Sequence, residues 1–144
     1  MDTFYRLYPR ALVQITEGVL PLMAKGRGRI VMISTPGCDH MSVPRAFYEL
    51  PGQGKAAAEA IIRFYALRLA PRKITANVVI PGITNTDEWW MDEQKLQEYA
   101  ERRSPMKELL QPAAIANVIG FLLSEAAQST TGAVIPVDGG LCLV

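Results

Sequence analysis

Apolar positions along the chain fall into blocks that alternate between a helical and a strand period. In residues 3–24, Leu7, Ala11, Ile15 and Val19 follow a four-residue step, while Leu12, Leu20 and Met23 cover a neighbouring stripe. That pattern predicts a helix with apolar residues on more than one side. Pro9 suits the start of a helix, so the regular part is expected from there, and Gly26 and Gly28 end it with residues suited to positive φ. Residues 29–34 form a short apolar run with β-branched members, the mark of a strand buried on both faces in a parallel sheet. Residues 35–50 are irregular. A second helix is expected to follow Pro51 and run to about Leu69, with Ala57, Ile61, Ile62, Tyr65 and Leu69 forming a broad apolar surface. Residues 75–80 read as a second buried strand, cut off by Pro81 and Gly82. A short helix is expected over 92–103, an apolar one over 112–123 and a third strand over 134–137, with Asp138, Gly139 and Gly140 turning the chain at its end. Helix, strand, helix, strand, helix, strand is the rhythm of an α/β fold with about three parallel strands and crossover helices.

Composition narrows the function classes. A hydrophobic fraction of 49% in 144 residues is enough for a core, and 20% charged residues is ordinary for a globular protein. A net charge of +1 without a long basic cluster argues against a nucleic-acid partner. No stretch reaches the roughly 18 to 20 apolar residues that span a bilayer. The first ten residues mix Asp2, Arg6 and Arg10 with aromatics, unlike the unbroken apolar run of a signal peptide. Cys38 and Cys142 have no metal-ligand or C-x-x-C spacing, and His40 stands alone. The expectation is a cytoplasmic protein with no metal, no membrane and no nucleic acid.

Five blocks then carry a resemblance. Leu20-Pro21-Leu22-Met23, Gly28-Arg29-Ile30-Val31-Met32-Ile33-Ser34, Gly54-Lys55-Ala56-Ala57, the run from Asn77 to Thr86, and Thr131-Gly132 with Val137-Asp138-Gly139-Gly140 stand in this order along nearly the whole chain. Together they resemble successive segments of the short-chain dehydrogenase/reductase family. The resemblance implies the C-terminal half of a Rossmann-like, doubly wound parallel sheet, and an NAD- or NADP-dependent oxidoreductase acting on a small molecule.

It also implies a site. Family catalysis uses a Tyr that exchanges a proton with the substrate oxygen, a Lys that binds the nicotinamide ribose and supplies positive charge, and a Ser or Thr that orients the substrate. A phenol titrating near 10 becomes useful near neutrality only beside such a charge. Lys55 matches the family lysine. The usual Tyr position, four residues earlier, is Pro51, and Tyr48 gives the longer Tyr-x6-Lys spacing. That spacing and the run Lys55-Ala56-Ala57-Ala58-Glu59-Ala60 resemble the enoyl-acyl-carrier-protein reductase branch, so the substrate is expected to be a carbonyl or an enoyl thioester. Thr35 or Ser34 would supply the hydroxyl. Pro81, Gly82, Ile83 and Thr86 resemble positions that meet the cofactor with Lys55. Trp89 and Trp90 fall in the segment of the family's substrate lid, where packing at a subunit contact is the alternative. The Asn usual in the first helix is Tyr8 here. Each site residue also has a plain reading, Lys55 as a solvated helix lysine and Tyr48 as a loop aromatic.

The glycine-rich turn that holds a dinucleotide pyrophosphate after a first strand has no counterpart in residues 1–144; Gly26-Arg27-Gly28 precedes a strand instead of following one. The expectation is a partial domain over 1–144, completed by an N-terminal half on a partner or a longer chain, and a homo-oligomer because a bare sheet edge and two-sided helices favour association. The competing class is a non-catalytic, truncated paralogue acting as a dimerisation module. Because the main anion site is missing, titration of these 144 residues with NADH or NADPH, followed by fluorescence or calorimetry, should show weak binding or none. Tight, saturable binding would contradict that.

Overall fold

The computed structural model describes residues 2–38, 42–87, 89 and 91–144. The first helical rod comprises α1 (Asp2–Tyr5) and α2 (Ala11–Val19), joined by a π turn over Arg6–Arg10. The rod does not begin at Pro9 but runs through it. Proline has no N–H to donate and its ring crowds the carbonyl four residues back. Widening the turn, with the Ala11 N–H donating to the Arg6 carbonyl, keeps the helix continuous.

Strand β1 (Arg29–Ile33) leads through a loop to α3 (Glu49–Leu69), which starts two residues before Pro51. Pro51 therefore lies in the first turn, where an N–H has no helical partner anyway. Strand β2 (Thr75–Pro81) follows, then α4 (Glu93–Arg103), α5 (Pro112–Leu123) and β3 (Val134–Val137). The Asp92 carboxylate accepts the Lys95 N–H at 2.9 Å and caps α4.

Among the described residues the sheet is β1-β2-β3, all parallel, as the pattern predicted. Arg29 pairs with Thr75 and Ile33 with Val79; Val78 pairs with Val134 and Pro81 with Val137. β2 is central and its side chains alternate between faces. Ala76, Val78 and Ile80 pack with Ile62, Tyr65, Ala66 and Leu69 of α3 and with Leu20. Val79 packs on the opposite face with Ile115 and Leu122 of α5. Each fully buried aliphatic side chain contributes about 1.5–3 kcal/mol, so β2 and its two helical covers hold the domain together. Among the described residues no helix is long and apolar enough to cross a membrane.

Polar contacts fix the register of these layers. Asn77, fully buried in β2, donates from Nδ2 to the Thr130 carbonyl at 2.8 Å and accepts the Ala133 N–H at 3.1 Å, pinning the chain that enters β3. Glu17 of α2 accepts the Tyr65 hydroxyl at 2.8 Å and Arg68 at 2.6 Å, clipping α2 to α3. Burial, and then the bond to Glu17, push the Tyr65 phenol up to about 12.

Gly82 ends β2 where the chain crosses the Asp138 backbone. A Cβ there would stand 2.6 Å from Asp138 Cα and 2.8 Å from its carbonyl oxygen. Only glycine allows that approach, and the Gly82 N–H donates to the Val137 carbonyl at 2.9 Å. Gly82→Ala should therefore destabilise the fold by about 1–3 kcal/mol, read as a lower urea midpoint. An unchanged midpoint would mean the Asp138 backbone yields without cost.

Candidate functional site

Parallel strands end on the same side of their sheet, and here those carboxyl ends open into one cleft of about 770 Å³. β1 contributes Ile33 and, just beyond it, Ser34 and Thr35. β2 contributes Pro81, with Gly82, Ile83, Thr84 and Thr86 after it. Tyr48 lines the wall from the start of α3, and Trp89 and Tyr99 line the side near α4. Eight of the ten expected site residues thus border one cleft. Trp90 lies outside the described residues, and Lys55 is not part of the wall.

The two candidate hydroxyls have separate places. Ser34 is buried, its N–H donates to the Val79 carbonyl at 2.8 Å, and its hydroxyl donates to Glu59 of α3. Thr35, half-buried, faces the cleft with no such tie. Both line the cleft, but the Ser34 hydroxyl is engaged by Glu59 and so also links β1 to α3.

Lys55 stands behind that link. Its Nζ donates to the Ser34 carbonyl at 3.3 Å and lies 5.2 Å from the centroid of the Tyr8 ring. Burial pushes the ammonium below the usual lysine range, while Cys38 and Glu59 push it back up. Burial also raises the Tyr8 phenol, and Tyr48 and Cys38 raise it further. Tyr8 reaches this place because Gly54 lets the first helical rod press on α3: a Cβ at Gly54 would meet the Phe4 carbonyl oxygen and Tyr8 Cδ2, each at 3.0 Å.

Tyr48 is the residue before the first turn of α3, with φ −116° and ψ 17°. Seven residues separate it from Lys55, roughly 10 Å along the helix axis and almost the same face. Its ring leans over Gly52, where a Cβ would lie 3.5 Å from Tyr48 Cδ1 and 3.7 Å from Cys38 Sγ. The Tyr48 ring thus lies against the first turn of α3, close to Cys38 and on the side of Tyr8. The Arg45 guanidinium covers the ring at 5.4 Å.

Past β2, the Trp89 indole N–H donates to the Thr84 carbonyl at 2.8 Å, and its ring meets Tyr99 at 6.4 Å. Trp89 is therefore an anchored wall of the cleft. Among the described residues no cluster of His, Cys, Asp and Glu could hold a metal.

Four neighbours of the site escaped the sequence reading: Glu59, Cys38, Arg45, and Tyr8 as a contact of Lys55. Glu59 had a signal, an acid one turn after Lys55 on the apolar side of a helix. The others depend on how the rod and the loop fold over α3, which no local pattern records.

A family model described as enoyl-(acyl carrier protein) reductase matches residues 2–142. A probable tetrahydroxynaphthalene reductase of Zymoseptoria tritici is 30% identical over 154 residues, covering 99% of this chain and 57% of that protein. Dehydrogenase/reductase SDR family member 4 of Sus scrofa is 31% identical over 143 residues, covering 96% of this chain and 50% of that protein. The solved structure of the angucycline C-6 ketoreductase LanV with bound NADP matches at a TM-score of 0.83 and 34% identity, covering 94% of this chain and 51% of that one. The chain spans about half the length of the curated relatives it matches.

Proposed function

Because this chain belongs to the short-chain dehydrogenase/reductase family, we propose that it is the proton-handling half of an NAD(P)-dependent reductase of a small carbonyl compound. One observation carries the reading: the cleft joins Tyr48 and Thr35 on its wall, with the Lys55 ammonium held just behind them at the end of β1. The names of the relatives, a C-6 ketoreductase among them, favour a carbonyl over the enoyl thioester that Tyr-x6-Lys spacing also suggests.

The residues present fit one end of a dinucleotide. Ile83 and Thr86 line the cleft just after β2, beside Pro81 and Gly82, where a flat amide-bearing ring would lie, and Lys55, held behind the wall on the Ser34 carbonyl, is the cation nearest the adjoining ribose. For the pyrophosphate, the described residues provide no glycine-rich turn between a strand and a helix. A complete site would need that turn in addition to the described residues. A bound nicotinamide supplies the hydride.

Chemistry within this chain is proton supply and charge control. Thr35 orients the substrate oxygen by a hydrogen bond. Tyr48 gives that oxygen its proton, and the nearby ammonium of Lys55 stabilises negative charge on the phenol and on the oxygen alike. Trp89 and Ile83 shield the apolar body of the substrate from water.

A second reading has its own observation. Leu7 and Ile15 on the first rod, and Phe64 and Leu67 on α3, are 59–77% exposed, a surface suited to pairing with a second copy or a full-length relative. Association through these helices serves an oligomeric enzyme and a non-catalytic dimerisation module equally, and turnover separates the two. In the completed enzyme, Tyr48→Phe should lower carbonyl-dependent NADPH oxidation by about 10² to 10⁴ with cofactor affinity nearly intact, whereas Lys55→Ala should weaken both. Wild-type turnover in Tyr48→Phe would make Tyr48 a bystander, and no turnover with either native residue in place would favour the module.

A further inference from the structure

Lys55 has a burial problem that its catalytic reading does not solve. An ammonium taken out of water tends to lose its proton, yet the proposed chemistry needs the charge. Among the described residues four groups face it: the Tyr8 ring from the π turn, Cys38 from the loop after β1, the Ser34 carbonyl from the strand end, and Glu59 from its own helix. A ring face and a carbonyl contribute only partial charge. A thiol ionises ordinarily above pH 8, whereas a carboxylate ionises well below neutrality. Of these four, Glu59 is the one carboxyl group, and it acts for the ammonium together with Cys38.

Its placement is specific. Glu59 follows Lys55 by four residues, so the two side chains share a face of α3. That face is otherwise apolar, with Ala58, Ile62 and Ala66 buried alongside, and Glu59 is itself 6% exposed. A carboxylate in such a position persists only when its oxygens are satisfied. The Ser34 hydroxyl donates to it, and the carbonyl of the same serine accepts from Lys55. One residue at the end of β1 thus touches acid and base at once.

We propose that Glu59 is a positioning residue of the reductase site: its carboxylate, fixed by Ser34, is the counter-charge that keeps the buried Lys55 an ammonium. The inference rests on the catalytic reading of Lys55, but its test needs no turnover. Burial acts against the ammonium, and Glu59 and Cys38 act for it. Loss of the Glu59 charge leaves burial less opposed.

The test is competitive acetylation of the 144-residue chain with acetic anhydride across pH, reading Lys55 by peptide mass spectrometry. Glu59→Gln keeps the shape and an acceptor for Ser34 but removes the charge. It should move the Lys55 midpoint down by about one pH unit, whereas Ser34→Ala should move it less. The same coupling must appear from the other side, because interaction between two sites is reciprocal. In Lys55→Met, the Glu59 carboxyl followed by carbon NMR should titrate higher by a similar amount, which keeps the question answerable if Glu59→Gln loses its fold. An unmoved Lys55 midpoint in a folded Glu59→Gln, a Ser34→Ala shift as large as that of Glu59→Gln, or an unmoved Glu59 in Lys55→Met would each overturn the proposal. Any of these leaves the reductase reading intact, and a failure of that reading leaves the titration unchanged.

Discussion

Everything in this chain hangs on a strand that is buried on both faces. β2 has no solvent side: Ala76, Val78 and Ile80 enter the core under α3, and Val79 enters the core under α5. Its two edges are filled by β1 and β3. A strand so enclosed fixes the height and direction of its neighbours, because slipping it by one residue would exchange the two cores. The site inherits that constraint. Ser34 is held level with Val79 by its N–H, and Gly82 is held against Val137 and Asp138. The ends of β1 and β2 therefore open together into the cleft.

Helix α3, the cover of that strand, carries Lys55 and Glu59 and starts beside Tyr48. Ile62, Tyr65, Ala66 and Leu69 lock its far half on β2. Its near half, with Gly52 and Gly54, is thin enough for the Tyr48 ring and the first rod to lie against it. Glycines inside a helix cost about 1 kcal/mol each relative to alanine. Here they admit the aromatic groups that surround Lys55. Stability is given up locally where the site needs close approach, and is recovered in the packed half of the same helix.

The elements were legible because the sheet makes them so. Fully enclosed β2 shows as an unbroken apolar run, whereas β1, expected to be buried on both faces, is a half-buried edge strand with Ile33 exposed, because only β2 has a strand on each side. Pro9 misled locally: the expectation placed it at a helix start, and the π turn instead carries the rod past it. That Tyr48, Thr35 and the turn after β2 would border one cleft was legible from the family resemblance, since the cleft forms at strand ends that the sequence marks with Pro81 and Gly82. The division of labour between Ser34 and Thr35 was not legible, because it depends on which hydroxyl meets Glu59 across the interface of β1 and α3. Tyr8, Cys38 and Arg45 were hidden for the same reason, being contacts made by distant segments.

If the site stands on the sheet, its backbone should open only when the sheet does. Amide hydrogen exchange, resolved to single residues, reads this directly. The N–H groups of Ser34, Val78 and Gly82 bond to the carbonyls of Val79, Ala133 and Val137, and should exchange among the slowest in the chain, through global unfolding. Ser34 and Gly82 exchanging as fast as the loop residues, while Val78 stays protected, would show a site that moves independently of β2 and would contradict its dependence on that strand.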